Sequence, residues 1–145
     1  MSDTTSNGKI TAEQVDTLIQ NHYNDASAEH IVQPGIVYIS FPTESGTLYS
    51  KQELTELYAV CQTHNIPLFI DGARLGYGLM AKNNDVTFED IANLCDVFYI
   101  GGTKVGALFG ECIVILNDLY KKDFRYSIKQ HGGMLAKGRM LGIQF

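Results

Sequence analysis

Apolar positions along the chain alternate between two spacings. Val15, Leu18, Ile19 and Tyr23 recur at the helical period behind Thr11 and Gln14, a capping-box pair, and predict a helix over about residues 12 to 23. Ser50 and Glu53 repeat the device ahead of Leu54, Leu57, Tyr58 and Cys61, predicting a second helix that ends near Asn65. A third capped helix is predicted from Thr87 to about Leu94. Between and beyond the helices lie runs rich in β-branched and aromatic residues, too short for buried helices: Ile36–Phe41, Leu68–Ile70, Val97–Ile100 and Cys112–Leu116. These predict four strands. Helix and strand alternate until the third strand, so the expected fold class is α/β: a mostly parallel sheet with flanking helices, its apolar strands covered on both faces. The strand from Cys112 follows Gly106–Gly110 closely and is expected to return antiparallel, and Met134–Phe145 is compatible with one more helix.

Composition narrows the classes of function. The chain has 145 residues, 45% of them hydrophobic, enough for one domain with a sizeable core. Its 11 Lys and Arg against 16 Asp and Glu leave a net charge of −5, without a basic cluster for a nucleic acid or an anionic membrane surface. Its apolar runs are far shorter than the roughly 18 to 20 residues a membrane span needs. Residues 1–10 are polar and read as a flexible lead-in rather than a signal peptide, so the expected location is the cytoplasm. Gly142–Phe145 ends the chain with neither cap nor polar tail, and reads as a chain cut short. Cys61, Cys95 and Cys112 have no C-x-x-C spacing and are expected to be core thiols. His22, His30, His64 and His131 make no metal-ligand cluster, so no metal is expected.

Candidate chemistry sits where two strand runs end. In open α/β sheets, ligands bind outside the carboxyl ends of the strands. Asp71 closes one apolar run and Lys104 follows another, each beside glycines that permit close approach. On spacing alone, a turn-capping Asp71 and a solvated Lys104 are equally good readings. A lysine amine forms Schiff bases with aldehydes, and a carboxylate opposite a pyridine nitrogen keeps that nitrogen protonated. Tyr38, Tyr49, Tyr58, Tyr77 and Tyr99 read as core or edge aromatics.

Three segments carry a family resemblance: Pro42-Thr43-Glu44-Ser45-Gly46-Thr47-Leu48-Tyr49-Ser50, Asp71-Gly72-Ala73-Arg74-Leu75 and Gly102-Thr103-Lys104. With them the chain resembles the threonine aldolase and β-eliminating lyase family of pyridoxal 5′-phosphate enzymes, which have the aspartate aminotransferase fold. The resemblance implies that residues 11–145 form part of the family's large, cofactor-binding domain, without its N-terminal part or its small domain. It implies pyridoxal 5′-phosphate as cofactor, held by Lys104 as the Schiff-base lysine, Asp71 against the pyridine nitrogen, Ala73 beneath the ring and Thr103 at the phosphate. Arg74 would bind the carboxylate of a small amino-acid substrate, although an arginine at that place also suits a structural ion pair. The implied reaction is that of a low-specificity L-threonine aldolase, cleaving a β-hydroxy-α-amino acid to glycine and an aldehyde. β-Elimination on the same scaffold and a truncated non-catalytic α/β domain are the alternatives, and the short chain alone is expected to have little activity. The complete protein is expected to be a homodimer or homotetramer.

The pattern also departs from the family's. The upstream glycine-rich phosphate turn and the ring that stacks on the cofactor have no counterpart, and Leu135 stands where many members have an arginine. Lys129 and Lys137 are then weak phosphate candidates, with a solvated lysine the better reading of each. If the cofactor reading holds, Asp71 and Lys104 must lie on one edge of the sheet.

Overall fold

The computed structural model of the chain describes residues 7–145. Among the described residues, six α-helices and four strands are ordered α1 (Ala12–Asn24), β1 (Val37–Ser40), α2 (Lys51–Thr63), β2 (Leu68–Asp71), α3 (Leu75–Leu79), α4 (Phe88–Asn93), β3 (Val97–Gly101), β4 (Glu111–Ile115), α5 (Phe124–Gln130) and α6 (Arg139–Ile143). The strands lie side by side in sequence order, with β1, β2 and β3 parallel and β4 antiparallel to β3. This is the mostly parallel α/β sheet that the strand–helix alternation predicts. The antiparallel return of β4 also agrees with expectation, since the connection from Gly102 to Gly110 is too short for a parallel crossover.

Three helices begin as their sequences dictate. Thr11, Ser50 and Thr87 each accept a hydrogen bond from the N3 backbone N–H, and Gln14, Glu53 and Asp90 each reach back to the cap residue's own N–H. At Ser50 the device extends further, because Glu53 also accepts from Lys9 Nζ at 2.6 Å. Lys9 Nζ in turn donates to the Leu48 carbonyl, and the Ile10 N–H donates to the Tyr49 hydroxyl. Residues 1–6 of the expected lead-in lie outside the described residues.

The core lies on one face of the sheet. Val37 and Ile39 of β1, Leu68 and Ile70 of β2 and Phe98 of β3 point to it, and Val15, Ile19, Leu54, Leu57, Cys61 and Ile91 cover them from the helices. The other face carries Tyr38, Phe69, Tyr99 and Ile113, half-buried or exposed. The expectation that both faces are covered is therefore corrected: one is sealed, while the other is an aromatic surface only partly lined by α5 and the turn before it. Strand alternation explains the difference, since every second residue of β1–β3 is a strong apolar and the intervening ones include Tyr38, Phe69, Asp71 and Tyr99.

Two further expectations change. Cys61 and Cys95 are buried thiols, but Cys112 is only half-buried because β4 is the edge strand. In the Met134–Phe145 segment only Arg139–Ile143 is helical, after Lys137 at a φ of 58° and a turn around Gly138. Helices α3 and α5, absent from the pattern reading, are one to two turns long and have no side-chain cap. At the amino end of the sheet, buried Asp96 ties three strands together, accepting from the Leu68 N–H and from Asn117 Nδ2 while its carbonyl accepts from the Leu116 N–H.

Two substitutions separate capping from core packing. Ser50→Ala is expected to cost about 1 kcal/mol of unfolding free energy and Leu57→Ala about 2–5 kcal/mol, read from urea unfolding curves. A Ser50→Ala loss as large as that of Leu57→Ala would show that the cap organises more than its own helix.

Candidate active site

The carboxyl ends of β1, β2 and β3 form a single edge, as parallel pairing requires. Asp71 is the last residue of β2, in register with Ser40, the last of β1. Strand β3 ends at Gly101, and the chain turns at once through Thr103–Gly106. Lys104 and Asp71 thus share the edge, close enough for the lysine's charge to act on the carboxylate. Thr103 and Lys104 are exposed, and the turn is fastened to α3 by the Tyr77 hydroxyl, which donates to the Lys104 carbonyl at 2.8 Å.

Absent side chains bring the two strand ends together. The Gly101 N–H donates to the Gly72 carbonyl at 2.9 Å, carrying the β2–β3 contact past Asp71. A Cβ at Gly72 would lie 1.9 Å from the Tyr99 carbonyl oxygen, and one at Gly101 would lie 2.4 Å from that of Ala73. Both obstacles are backbone, which cannot swing aside as a long side chain can. Glycine is therefore required at both places for steric room, not for an unusual φ.

Around Asp71 the structure assembles three donors. Oδ1 accepts from the Ala73 N–H at 2.9 Å and from the Tyr99 hydroxyl at 2.5 Å, while Oδ2 accepts from the Tyr38 hydroxyl. Burial pushes the carboxyl's pKa up, but the bonds from Tyr38, Tyr99 and Ala73, with the Lys104 charge, outweigh it and hold it below the ordinary aspartate range. The phenols respond in the opposite sense: desolvation and the bond to Asp71 push Tyr38 up to about 12 and raise Tyr99 as well. A carboxylate has about four acceptor positions. Three are taken, two on Oδ1 and one on Oδ2, so Oδ2 keeps room for one more N–H donor. The sequence reading of Tyr38 and Tyr99 is core or edge aromatics; strand parity puts both on the face of Asp71, but parity alone does not say which strands are neighbours.

Arg74 immediately precedes α3, beside the loop that leaves β1. One of its terminal nitrogens lies 3.3 Å from Glu44, in an ion pair whose side chains are 40% and 74% exposed. Such a pair is weak and easily exchanged. It borders a cleft of about 350 Å³ lined by Pro42, Thr43, Glu44, Arg74 and Tyr77. The structure therefore collects the Pro42–Ser50 loop, the Asp71–Leu75 segment and the Gly102–Lys104 turn along one edge. Lys129 and Lys137 are exposed on the C-terminal segment, in keeping with solvated lysines. Among the described residues no group of three or more His, Cys, Asp or Glu is placed to hold a metal ion.

Comparison with known proteins identifies the family to which the chain belongs. The sequence model of the family described as Beta-eliminating lyase matches residues 2–143. The chain is 35% identical over 115 residues to the low specificity L-threonine aldolase of Pseudomonas sp. (strain NCIMB 10558), covering 77% of this chain and 32% of that protein. It is 33% identical over 112 residues to the protein of the same name from Pseudomonas aeruginosa. The structure of Leishmania major threonine aldolase superposes with a TM-score of 0.89 at 48% identity, covering 97% of this chain and 40% of that one. The chain thus spans about a third of the length of the curated relatives it matches.

Two measurements test the edge. Gly72→Ala is expected to destabilise the fold by about 1–3 kcal/mol, because backbone must move to admit the methyl group; unchanged thermal unfolding would show that the strand ends separate freely. The second is a pH dependence. The folded-state pKa of Asp71 lies below the unfolded value of about 3.9, so its contribution is fully present above that value and is lost as pH falls through the folded one. The stability advantage of the wild type over Asp71→Asn is expected to hold at pH 5 to 7 and shrink towards pH 2 in denaturant titrations. A gap that widens on acidification would reverse the sign of the argument.

Proposed function

The chain belongs to the β-eliminating lyase family, and on that premise we propose that it carries part of the active site of a pyridoxal 5′-phosphate-dependent low-specificity L-threonine aldolase. The substrate is a β-hydroxy-α-amino acid and the products are glycine and an aldehyde. The observation that carries the reading is the Asp71 carboxylate, held as an anion on the same sheet edge as Lys104, with one acceptor position open on Oδ2. That donor set fits a protonated pyridine ring. When bound, the cofactor supplies an electron sink for the pair left as the substrate's Cα–Cβ bond breaks.

The remaining work falls to side chains. Lys104 offers its amine from an exposed turn, where a cofactor aldehyde has access to it. Asp71 would accept the ring N–H, Ala73 would support the ring and Thr103 would bind the phosphate. Arg74 exchanges its exposed partner Glu44 for the substrate carboxylate, for which a guanidinium fork is suited. Aldol cleavage rather than β-elimination is favoured by the names and identities of the curated relatives. Those relatives extend well beyond the matched region, so the reaction is proposed for the protein as a whole and the residue roles for this chain. The complete protein is a cytoplasmic homodimer or homotetramer in this reading; exposed Val32, Met80, Leu108 and Leu119 support association, and the free cysteines suit a reducing compartment.

Borohydride reduction in the presence of pyridoxal 5′-phosphate, followed by peptide mapping, tests the assignment. The label is expected on Lys104, and Lys104→Ala is expected to abolish specific labelling. Label spread over Lys51, Lys82 and Lys121 according to their exposure would refute an organised site.

A further inference from the structure

Two phenols on a single carboxylate exceed what a strand-end aspartate requires. An aspartate at a solvent-facing edge is satisfied by water and by its own turn, and the Ala73 N–H already supplies the turn. Here Tyr38 comes from β1 and Tyr99 from β3, one from each strand that flanks Asp71. Both rings are braced on Phe69 of β2. Tyr38 stacks on it with centroids 5.3 Å apart and planes within 7°, and Tyr99 tilts against its other side at 6.2 Å. Tyr38 is 54% exposed, so its hydroxyl is free to face water, yet the stack lays it along the sheet towards Asp71.

Which oxygen each phenol occupies matters. Tyr99 and the Ala73 N–H fill Oδ1, whereas Tyr38 takes one of two acceptor positions on Oδ2. We propose that Tyr38 and Tyr99 are positioning residues that hold Asp71 as an anion with a single acceptor position left on Oδ2, and so keep the proton of a bound pyridine ring on its nitrogen. This rests on the cofactor reading above. The physical reason is competition for one proton: a carboxylate already accepting three hydrogen bonds is a poorer base, so the shared proton stays on the ring. The other groups that bear on the cluster are Lys104, whose charge acts on Asp71, Glu44 acting on Tyr38 and Glu111 of β4 acting on Tyr99. Lys104 supports the anion, and the two glutamates oppose loss of the phenol protons.

The test uses the chain with Tyr38→Phe, Tyr99→Phe and both together, changes that remove a hydroxyl and keep the ring that stacks on Phe69. Carbon-13 NMR follows the Asp71 carboxyl without ligand. Pyridoxine 5′-phosphate labelled with nitrogen-15 in its ring is the bound probe, since it has no aldehyde for Lys104. Each single variant is expected to raise the Asp71 titration point by about one pH unit, the scale of a hydrogen bond to a charged group. The bound ring signal is expected to stay at the pyridinium position in the wild type and to move towards neutral pyridine in the double variant. A titration point unmoved in both single variants, or a bound ring signal unmoved in the double variant, overturns the proposal. Failure of the wild type to bind the probe saturably, with the Asp71 shifts intact, overturns the cofactor reading and with it the ring-directed role of the phenols.

Discussion

The close approach of β2 and β3 at their carboxyl ends is the constraint on which the site depends. The hydrogen bond from Gly101 to the Gly72 carbonyl exists because neither residue carries a Cβ that would strike the neighbouring backbone. From that contact follow the position of Asp71 beside Tyr99, the Ala73 N–H folded back onto Oδ1, and the turn that delivers Lys104 to the same edge. The glycines act here through volume. Backbone against backbone leaves no soft degree of freedom to absorb an added methyl group.

The sheet divides its labour between faces. One face packs Ile39, Leu68, Ile70 and Phe98 against the helices and supplies the burial that holds the fold together. The other spends the intervening strand positions on Tyr38, Phe69, Asp71 and Tyr99, a polar aromatic cluster with little apolar packing above it. Because strand side chains alternate, the sealed face fixes where the open one presents its residues. The carboxylate's low basicity is thus a product of sheet register as much as of its neighbours' chemistry.

Arg74 and Glu44 add a softer element. Their ion pair is exposed and long, so it holds Arg74 near the cleft without committing its guanidinium. The firm part of the edge is made of backbone and buried strand contacts, while its outer part, beside the cleft, is made of exchangeable surface charge.

Much of the fold was legible in the sequence because its signals are local. Capping boxes at Thr11, Ser50 and Thr87 need only a three-residue spacing, and the strand runs need only short apolar stretches. Asp71, Ala73, Arg74, Thr103 and Lys104 were likewise legible as a motif, since glycine-flanked segments after strands leave a recognisable order of residue types. Short helices such as α3 and α5 escaped because no cap or period announces one or two turns. The coverage of one sheet face only, and the partial exposure of Cys112, depend on which strand is at the edge and what lies above it. The phenol pair on Asp71 was beyond reach for the same reason. Tyr38 and Tyr99 lie 33 and 28 residues from Asp71 along the chain, and only the parallel register of three strands places their hydroxyls on one carboxylate. Sequence by itself determined which residues are candidates for chemistry and which local elements bear them; tertiary structure decided which of them meet, because pairing between strands is a long-range choice that no local spacing encodes.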